Sequence, residues 1–252
     1  GETGHMSQFY EQTIRLTGMD ADGRGICKPS ALLDHLQIAA GFAAEEGGFG
    51  RETLVEKYGA FWMLARSWFH LDRPLRWEDR LTIRTWHRGG KAAMMYRDYD
   101  IYANGELVGE SVSGWVLANL ESRKIMRLAD IQELAGTGGE ELCKTRTLNK
   151  LRAPKDLKLL ERRKMHYSDT DVNGHVNNTR YADFACDAVE LDRLPEDQFL
   201  TEMQIGYLAE CRPGEILDLE AGSLDGGCYV HGLDQNGKAR FETAMIFQQV
   251  GS

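Results

Sequence analysis

The sequence predicts an α+β fold built from two copies of one unit, each a long helix packed on an antiparallel sheet. Three observations carry this expectation. Each half of the 252-residue chain reads as one helix-length segment followed by consecutive alternating runs, the pattern of a helix laid across neighbouring strands. The halves repeat short motifs in the same order. A basic block at 144–164 separates them, and all five tryptophans (Trp62, Trp68, Trp77, Trp86 and Trp115) precede it.

In the first half, residues 30–46 carry Ala31, Leu32, His35, Leu36, Ala39 and Phe42 along one broad helical face. Ser30 after Pro29 reads as the N-cap, and Gly47-Gly48 ends the helix. Strand-like runs follow near 61–71, 80–88, 94–103, 107–118 and 123–128. In the second half the helix is expected from Val176 to Leu191, with Tyr181, Phe184, Ala185, Ala188 and Leu191 inward. Strands are expected near 200–210, 215–222, 227–234 and 239–249.

The repeat supports the same division. Met19 to Ile26 and Ser168 to His175 match at an offset of 149, each just ahead of a helix. Asn104-Gly105 and Asn236-Gly237 match at an offset of 132, each between alternating runs, as hairpin turns do. Residues 7–143 are therefore read as the first unit, 144–164 as a basic linker and 165–252 as the second unit. Gly1 to Met6 read as an expression scar and are set aside.

Composition narrows the function. With 42% hydrophobic and 27% charged residues, the chain is neither disordered, nor collagen-like, nor a disulfide scaffold. No run of 18 apolar residues suggests a membrane-spanning helix. No basic segment followed by an apolar run suggests a secretory signal. The five cysteines, Cys27, Cys143, Cys186, Cys211 and Cys228, form no CxxC or close Cys/His pair. Neither a metal site nor a disulfide framework is expected, and the reducing cytoplasm is the expected compartment. A net charge of −9 argues against nucleic-acid binding. The 144–164 block holds nine Lys/Arg and two Asp/Glu, leaving the rest of the chain at −16. Such a block is either a landing site for an anionic partner or a solvated tether.

The chemistry is concentrated in Tyr167 to Tyr181, YSDTDVNGHVNNTRY. Acidic, amide and imidazole groups are compressed into Asp171, Asn173 and His175, just before a helix. Backbone N–H groups opening a helix can polarise a carbonyl. Capping alone would explain Asp171 or Asn173, but not His175 together with Asn177-Asn178. The other histidines, His35, His70, His87, His166 and His231, have no such surroundings and read as structural or surface residues.

The pattern Asp169-x-Asp171-x-x-Gly174-His175-Val176-Asn177-Asn178-x-x-Tyr181 resembles the active-site segment of hotdog-fold thioesterases. Further stretches resemble the acyl-acyl carrier protein (acyl-ACP) thioesterases within that group. They are Gly48-Phe49-Gly50, Trp77-Glu78-Asp79 with Thr85-Trp86, Trp115 to Lys124, and Tyr207-Leu-Ala-Glu210-Cys211. In order, they span about residues 8 to 249.

The resemblance implies two tandem hotdog domains and hydrolysis of an acyl-ACP thioester to free fatty acid, ending chain elongation. It places catalytic roles on Asp171, Asn173, His175 and Glu210, in the second unit. Glu210 is the leading base for water, with Asn173 and His175 orienting water or substrate. Asp171 orients Asn173, or is itself base or nucleophile. The first unit lacks the set: Arg24 stands opposite Asn173, Ile26 opposite His175 and Pro74 opposite Glu210. It would supply the acyl-chain pocket. Cys211 invites a nucleophile reading, but an activated water suffices, and the thiol reads as a buried bystander.

No cofactor is implied. The implied partner is the acyl carrier protein with its acylated phosphopantetheine arm. A homodimer stays open, because the duplication already supplies the two-hotdog unit. The competing readings are an acyl-CoA thioesterase and a non-catalytic hotdog module that binds acyl thioesters.

Overall fold

The structure, a computed structural model, describes residues 9–91, 93–127 and 142–251. The scar at Gly1 to Met6 lies outside the described residues, as does the end of the run expected near 123–128. In the first half, β1 (Tyr10–Arg15) is followed by α1 (Pro29–Glu46), α2 (Arg51–Tyr58), β2 (Ala60–Leu71), β3 (Arg80–Lys91), β4 (Met94–Ala103), β5 (Glu106–Asn119) and β6 (Ile125–Met126). In the second half come β7 (Lys158–Lys164), α3 (Arg180–Ala188), β8 (Gln198–Tyr207), β9 (Ile216–Leu224), β10 (Gly227–Leu233) and β11 (Ala239–Gln249).

Among the described residues, the eleven strands join one antiparallel sheet in the order β1-β3-β4-β5-β2-β8-β11-β10-β9-β7, with β6 on β5. The halves meet where Arg66–His70 of β2 pairs with Glu202–Gly206 of β8. Counted outward from this seam, β2, β5, β4, β3 and β1 match β8, β11, β10, β9 and β7. The duplication is thus built into the sheet, and the chain is two hotdog units sharing one continuous sheet. The edge strands β1 and β7 were not expected from the sequence. The offset of 149 nevertheless carries Tyr10–Arg15 onto residues 159–164. The end of the basic block is therefore a strand, paired with β9 from Lys158 to Lys164.

α1 starts one residue earlier than expected, with Pro29 in its first turn and Lys28 as the N-cap. Proline is suited to that position because the N–H it lacks has no helical partner there. Leu32, Leu33, Leu36 and Ala39 are buried against the sheet. Phe42 is not part of that face: it is 49% exposed and lies against the Tyr10 ring. α2, eight residues with Leu54 as its buried residue, was also unexpected.

α3 starts four residues later than expected. The N–H groups of Arg180, Tyr181 and Ala182 donate to the carbonyls of Asn177, Asn178 and Thr179, three residues back. This tight entry turn is 3-10 in character rather than α-helical. Tyr181, Phe184 and Ala185 are buried as the periodicity predicts, and Tyr181 stacks on Phe241. The core continues across the seam through Phe69, Ile83, Tyr99, Ile101, Met203 and Met245. Among the described residues no helix is long and apolar enough to cross a membrane.

Candidate active site

The segment before α3 is a closed turn. Asp171 N–H donates to the His175 carbonyl at 3.0 Å, and Gly174 N–H donates to the Asp171 carbonyl at 3.0 Å. The Asp171 carboxylate accepts the Asn173 N–H at 2.9 Å. Gly174 has φ +75°, a conformation that favours glycine. The first half repeats this turn at the offset of 149. Asp22 N–H donates to Ile26 O at 2.8 Å, Asp22 Oδ1 accepts the Arg24 N–H at 2.9 Å, and Gly25 has φ +74°. Asp171 therefore shapes the turn through the Asn173 backbone.

A second tie brings Glu210 to this turn. Val176 N–H donates to the Cys211 carbonyl at 2.8 Å, as Cys27 N–H does to Leu75 O at 2.8 Å. The matched bonds set Glu210 opposite Pro74, as the repeat predicts. Beyond β8 the chain leaves the sheet, and Arg240 holds it there. Its Nη1 donates to the Glu210 carbonyl at 2.5 Å, while its Nε pairs with Asp234 at 2.8 Å. The result is His175 Nδ1 3.3 Å from Glu210 Oε2, with the His175 side chain 14% and the Glu210 side chain 52% exposed.

Beneath the turn lies Asp169, fully buried. Its carboxylate accepts bonds from Arg163 at 2.8 and 3.1 Å, from Arg180 at 2.8 and 3.1 Å, and from the His166 N–H at 2.8 Å. Burial opposes ionisation, but these bonds outweigh it and hold the carboxyl well below the usual carboxylate range. Its backbone carbonyl accepts the Asn177 N–H at 2.8 Å, so the clamp is tied to the turn.

Asp171, Asn173, His175 and Glu210 all line one cavity of about 1370 Å³. Its other walls come largely from the first half, with Phe61, Trp62, Met95 and Trp115 apolar, and Gln37, Ala40, Gly41 and Ala44 contributed by α1. Trp68 and Phe69 instead pack in the core, so the β2 aromatics divide between pocket and packing. Arg51, at the start of α2, donates to Asn173 Oδ1 at 3.2 Å across the halves. The sequence reading missed it, because a lone arginine opening a short polar helix carries no local signal.

The structure bears on three further expectations. Of the N–H groups expected to open the helix, Val176 donates to the Cys211 carbonyl and Asn177 to the Asp169 carbonyl, and those of Arg180 to Ala182 are engaged in the entry turn, while Asn178 borders the cavity. Cys211 is fully buried in the core while its neighbour Glu210 lines the cavity. Burial pushes its thiol up, away from the nucleophilic thiolate. The basic block is tied into the fold at three points: Arg163 clamps Asp169, Lys144 pairs with Asp100 at 2.8 Å and Glu110 at 3.2 Å, and Arg146 lies 3.8 Å over Trp68; Lys150, Arg152, Lys155, Lys158 and Lys164 are exposed. Arg162, 69% exposed and paired with Asp218 at 3.0 Å, stays at the surface.

The matching place in the first half is a cavity of about 50 Å³ bordered by Asp22, Arg24, Ile26 and Pro74. Arg24 closes it by donating to the carbonyls of Pro195 at 3.3 Å and Asp192 at 3.4 Å. Among the described residues no group of three or more His, Cys, Asp and Glu side chains is arranged to hold a metal ion.

A cleft of this kind, lined by a carboxylate and an imidazole together with aromatic and aliphatic side chains, suits hydrolysis of an ester or thioester of an apolar acid. Comparison with known proteins narrows the class. Residues 7–133 match the acyl-ACP thioesterase N-terminal domain and residues 153–249 the acyl-ACP thioesterase C-terminal domain. The chain belongs to the acyl-ACP thioesterase family.

A chloroplastic palmitoyl-acyl carrier protein thioesterase of Cuphea hookeriana is 28% identical over 210 residues, 78% of this chain and 49% of that protein. A chloroplastic oleoyl-acyl carrier protein thioesterase of Arabidopsis thaliana is 24% identical over 198 residues, 73% of this chain and 53% of that protein. The chain thus spans about half the length of these relatives. In fold it is similar to an acyl-ACP thioesterase from Bacteroides thetaiotaomicron, with a TM-score of 0.84 at 22% identity, covering 96% of this chain and 98% of that one. It is also similar to a 12:0-ACP thioesterase from Umbellularia californica, with a TM-score of 0.77 at 20% identity, covering 98% and 99%.

Proposed function

We propose that the chain hydrolyses the thioester of an acylated acyl carrier protein, releasing a free fatty acid and the carrier's thiol. The observation that carries this reading is the meeting of Glu210 and His175, 3.3 Å apart, in a cavity that Phe61, Trp62, Met95 and Trp115 also line.

In the proposed reaction Glu210 accepts a proton from water, and the water oxygen bonds to the thioester carbonyl carbon. The C–S bond then breaks, and the proton held by Glu210 passes to the departing sulfur. His175 fixes the Glu210 carboxylate, and Asn173, held from the first half by Arg51, helps to orient the water. Base catalysis of this kind contributes about 100- to 10,000-fold. Asp171 has the lesser claim to the base role, since it accepts the Asn173 N–H. The first half supplies the acyl pocket, and the second half the base.

The partner on this reading is the acidic carrier, whose flexible arm delivers the thioester to the cavity. The paired hotdog halves within one chain make a second copy unnecessary for a complete site. The test is release of free fatty acid from acyl-ACP, with acyl-CoA offered in parallel. Turnover of acyl-ACP at far higher kcat/KM supports the reading. Preference for acyl-CoA points to the CoA class, and tight binding without turnover to a sensor.

A further inference from the structure

α1 does more than back the sheet. Gln37, Ala40, Gly41 and Ala44 border the cavity, on the stripe that helical spacing brings to one side. One turn earlier on this side, Asp34 accepts the Thr179 hydroxyl at 2.6 Å, and its charge acts on the Tyr207 phenol. This face of α1 therefore looks onto the entry to α3 and the end of β8, the two places from which His175 and Glu210 project.

On this face, Gln37 Nε2 is buried with no hydrogen-bond partner. A buried amide donor left without a partner costs about 1–3 kcal/mol, and an apolar side chain of similar shape would avoid that cost. No group of the described chain engages the donor, which leaves it open to an acceptor brought in from outside. The hydrocarbon part of a saturated acyl chain has no acceptor, so the oxygen that can reach a donor inside the pocket is the thioester carbonyl.

We propose that Gln37 is a further catalytic residue, whose side-chain N–H donates to the thioester carbonyl oxygen and holds the negative charge that develops there. The inference rests on the acyl thioester hydrolysis proposed above. It gives the first half a chemical part in the reaction besides a pocket wall, as a polarising donor contributed from α1.

The experiment compares the wild-type chain with Gln37→Leu, Gln37→Glu and Gln37→Met on acyl-ACP. Loss of one oxyanion donor lowers kcat by about 100- to 1,000-fold, and that loss is expected in Gln37→Leu with a much smaller change in KM. Its melting temperature should be unchanged or higher, because an unpaired buried amide is removed. Gln37→Met reports the same kcat if leucine is not accommodated, and Gln37→Glu should fall at least as far. A second readout is the infrared stretch of an isotope-labelled thioester carbonyl bound to a Glu210→Gln background. It should lie at lower frequency with Gln37 present and return toward the free value once Gln37→Leu is added. Wild-type-like kcat in a folded Gln37→Leu, or an unmoved stretch, overturns the inference alone. Failure of the wild type to hydrolyse acyl-ACP overturns the underlying reading, and the inference with it.

Discussion

Replacing Asp169 by Asn tests the clamp beneath the Asp171–His175 turn. The change keeps the shape and removes the charge that Arg163 and Arg180 both address. Leaving buried partners without their counter-charge costs about 3–5 kcal/mol. The arginines are 18% and 33% exposed at their side chains, so water recovers part of this, and a loss of about 3 kcal/mol is expected. Denaturant unfolding of the two proteins at pH 7 measures it.

The pH dependence follows from the sign of the shift. The Asp169 carboxyl is held below its unfolded value, near 3.9 in an unfolded chain, so its contribution is fully present above about pH 4. It fades as pH falls toward the depressed folded value. The stability gap between wild type and Asp169→Asn should therefore be constant from neutral pH down to about 4 and narrow below that. A gap under about 0.5 kcal/mol at pH 7, or one that widens on acidification, would refute the clamp.

Cys211→Ser should keep most activity, because the thiol is buried outside the cavity wall; loss of turnover in a folded variant, with iodoacetamide labelling of Cys211 tracking inactivation of the native enzyme, would make it the nucleophile. Reversing Arg162 and Lys164 to Glu while sparing Arg163 should raise KM for acyl-ACP several-fold and leave a short uncharged thioester unaffected, with the difference shrinking in added salt as surface charge is screened; equal rates on acyl-ACP for both proteins would remove this strand from the docking surface. Adding Arg163→Glu should impair both substrates, through Asp169, and cost stability in the same unfolding assay.

Much of the fold was legible because periodicity is a local signal. α1 and the central strands bury one stripe or face, and the sequence shows it. The edge strands escaped because β7, KLLERRK, is exposed at nearly every position, and β1 alternates exposed and only half-buried residues. The 149-residue offset carries one onto the other, so recognising either strand would have implied its counterpart. The start of α3 was misplaced because Asn177 to Thr179 bond as a 3-10 turn, which apolar spacing does not report. At the site, Asp171, Asn173 and His175 are close in sequence and were seen together. Glu210 was assigned through the family resemblance, and the repeat correctly set it opposite Pro74. Arg51, Gln37 and the Arg163–Asp169–Arg180 clamp depend on which helix faces which turn. No short window of sequence encodes that.

The central claim is that Glu210 is the base in a cavity shared by both halves. Glu210→Gln removes the basic carboxylate and keeps the side chain's shape, so single-turnover hydrolysis of acyl-ACP by this variant tests the claim most directly. The rate of the chemical step should fall about 100-fold or more, with carrier binding and melting temperature close to those of the wild type. Near-normal hydrolysis by a folded Glu210→Gln would contradict it and move the base to Asp171.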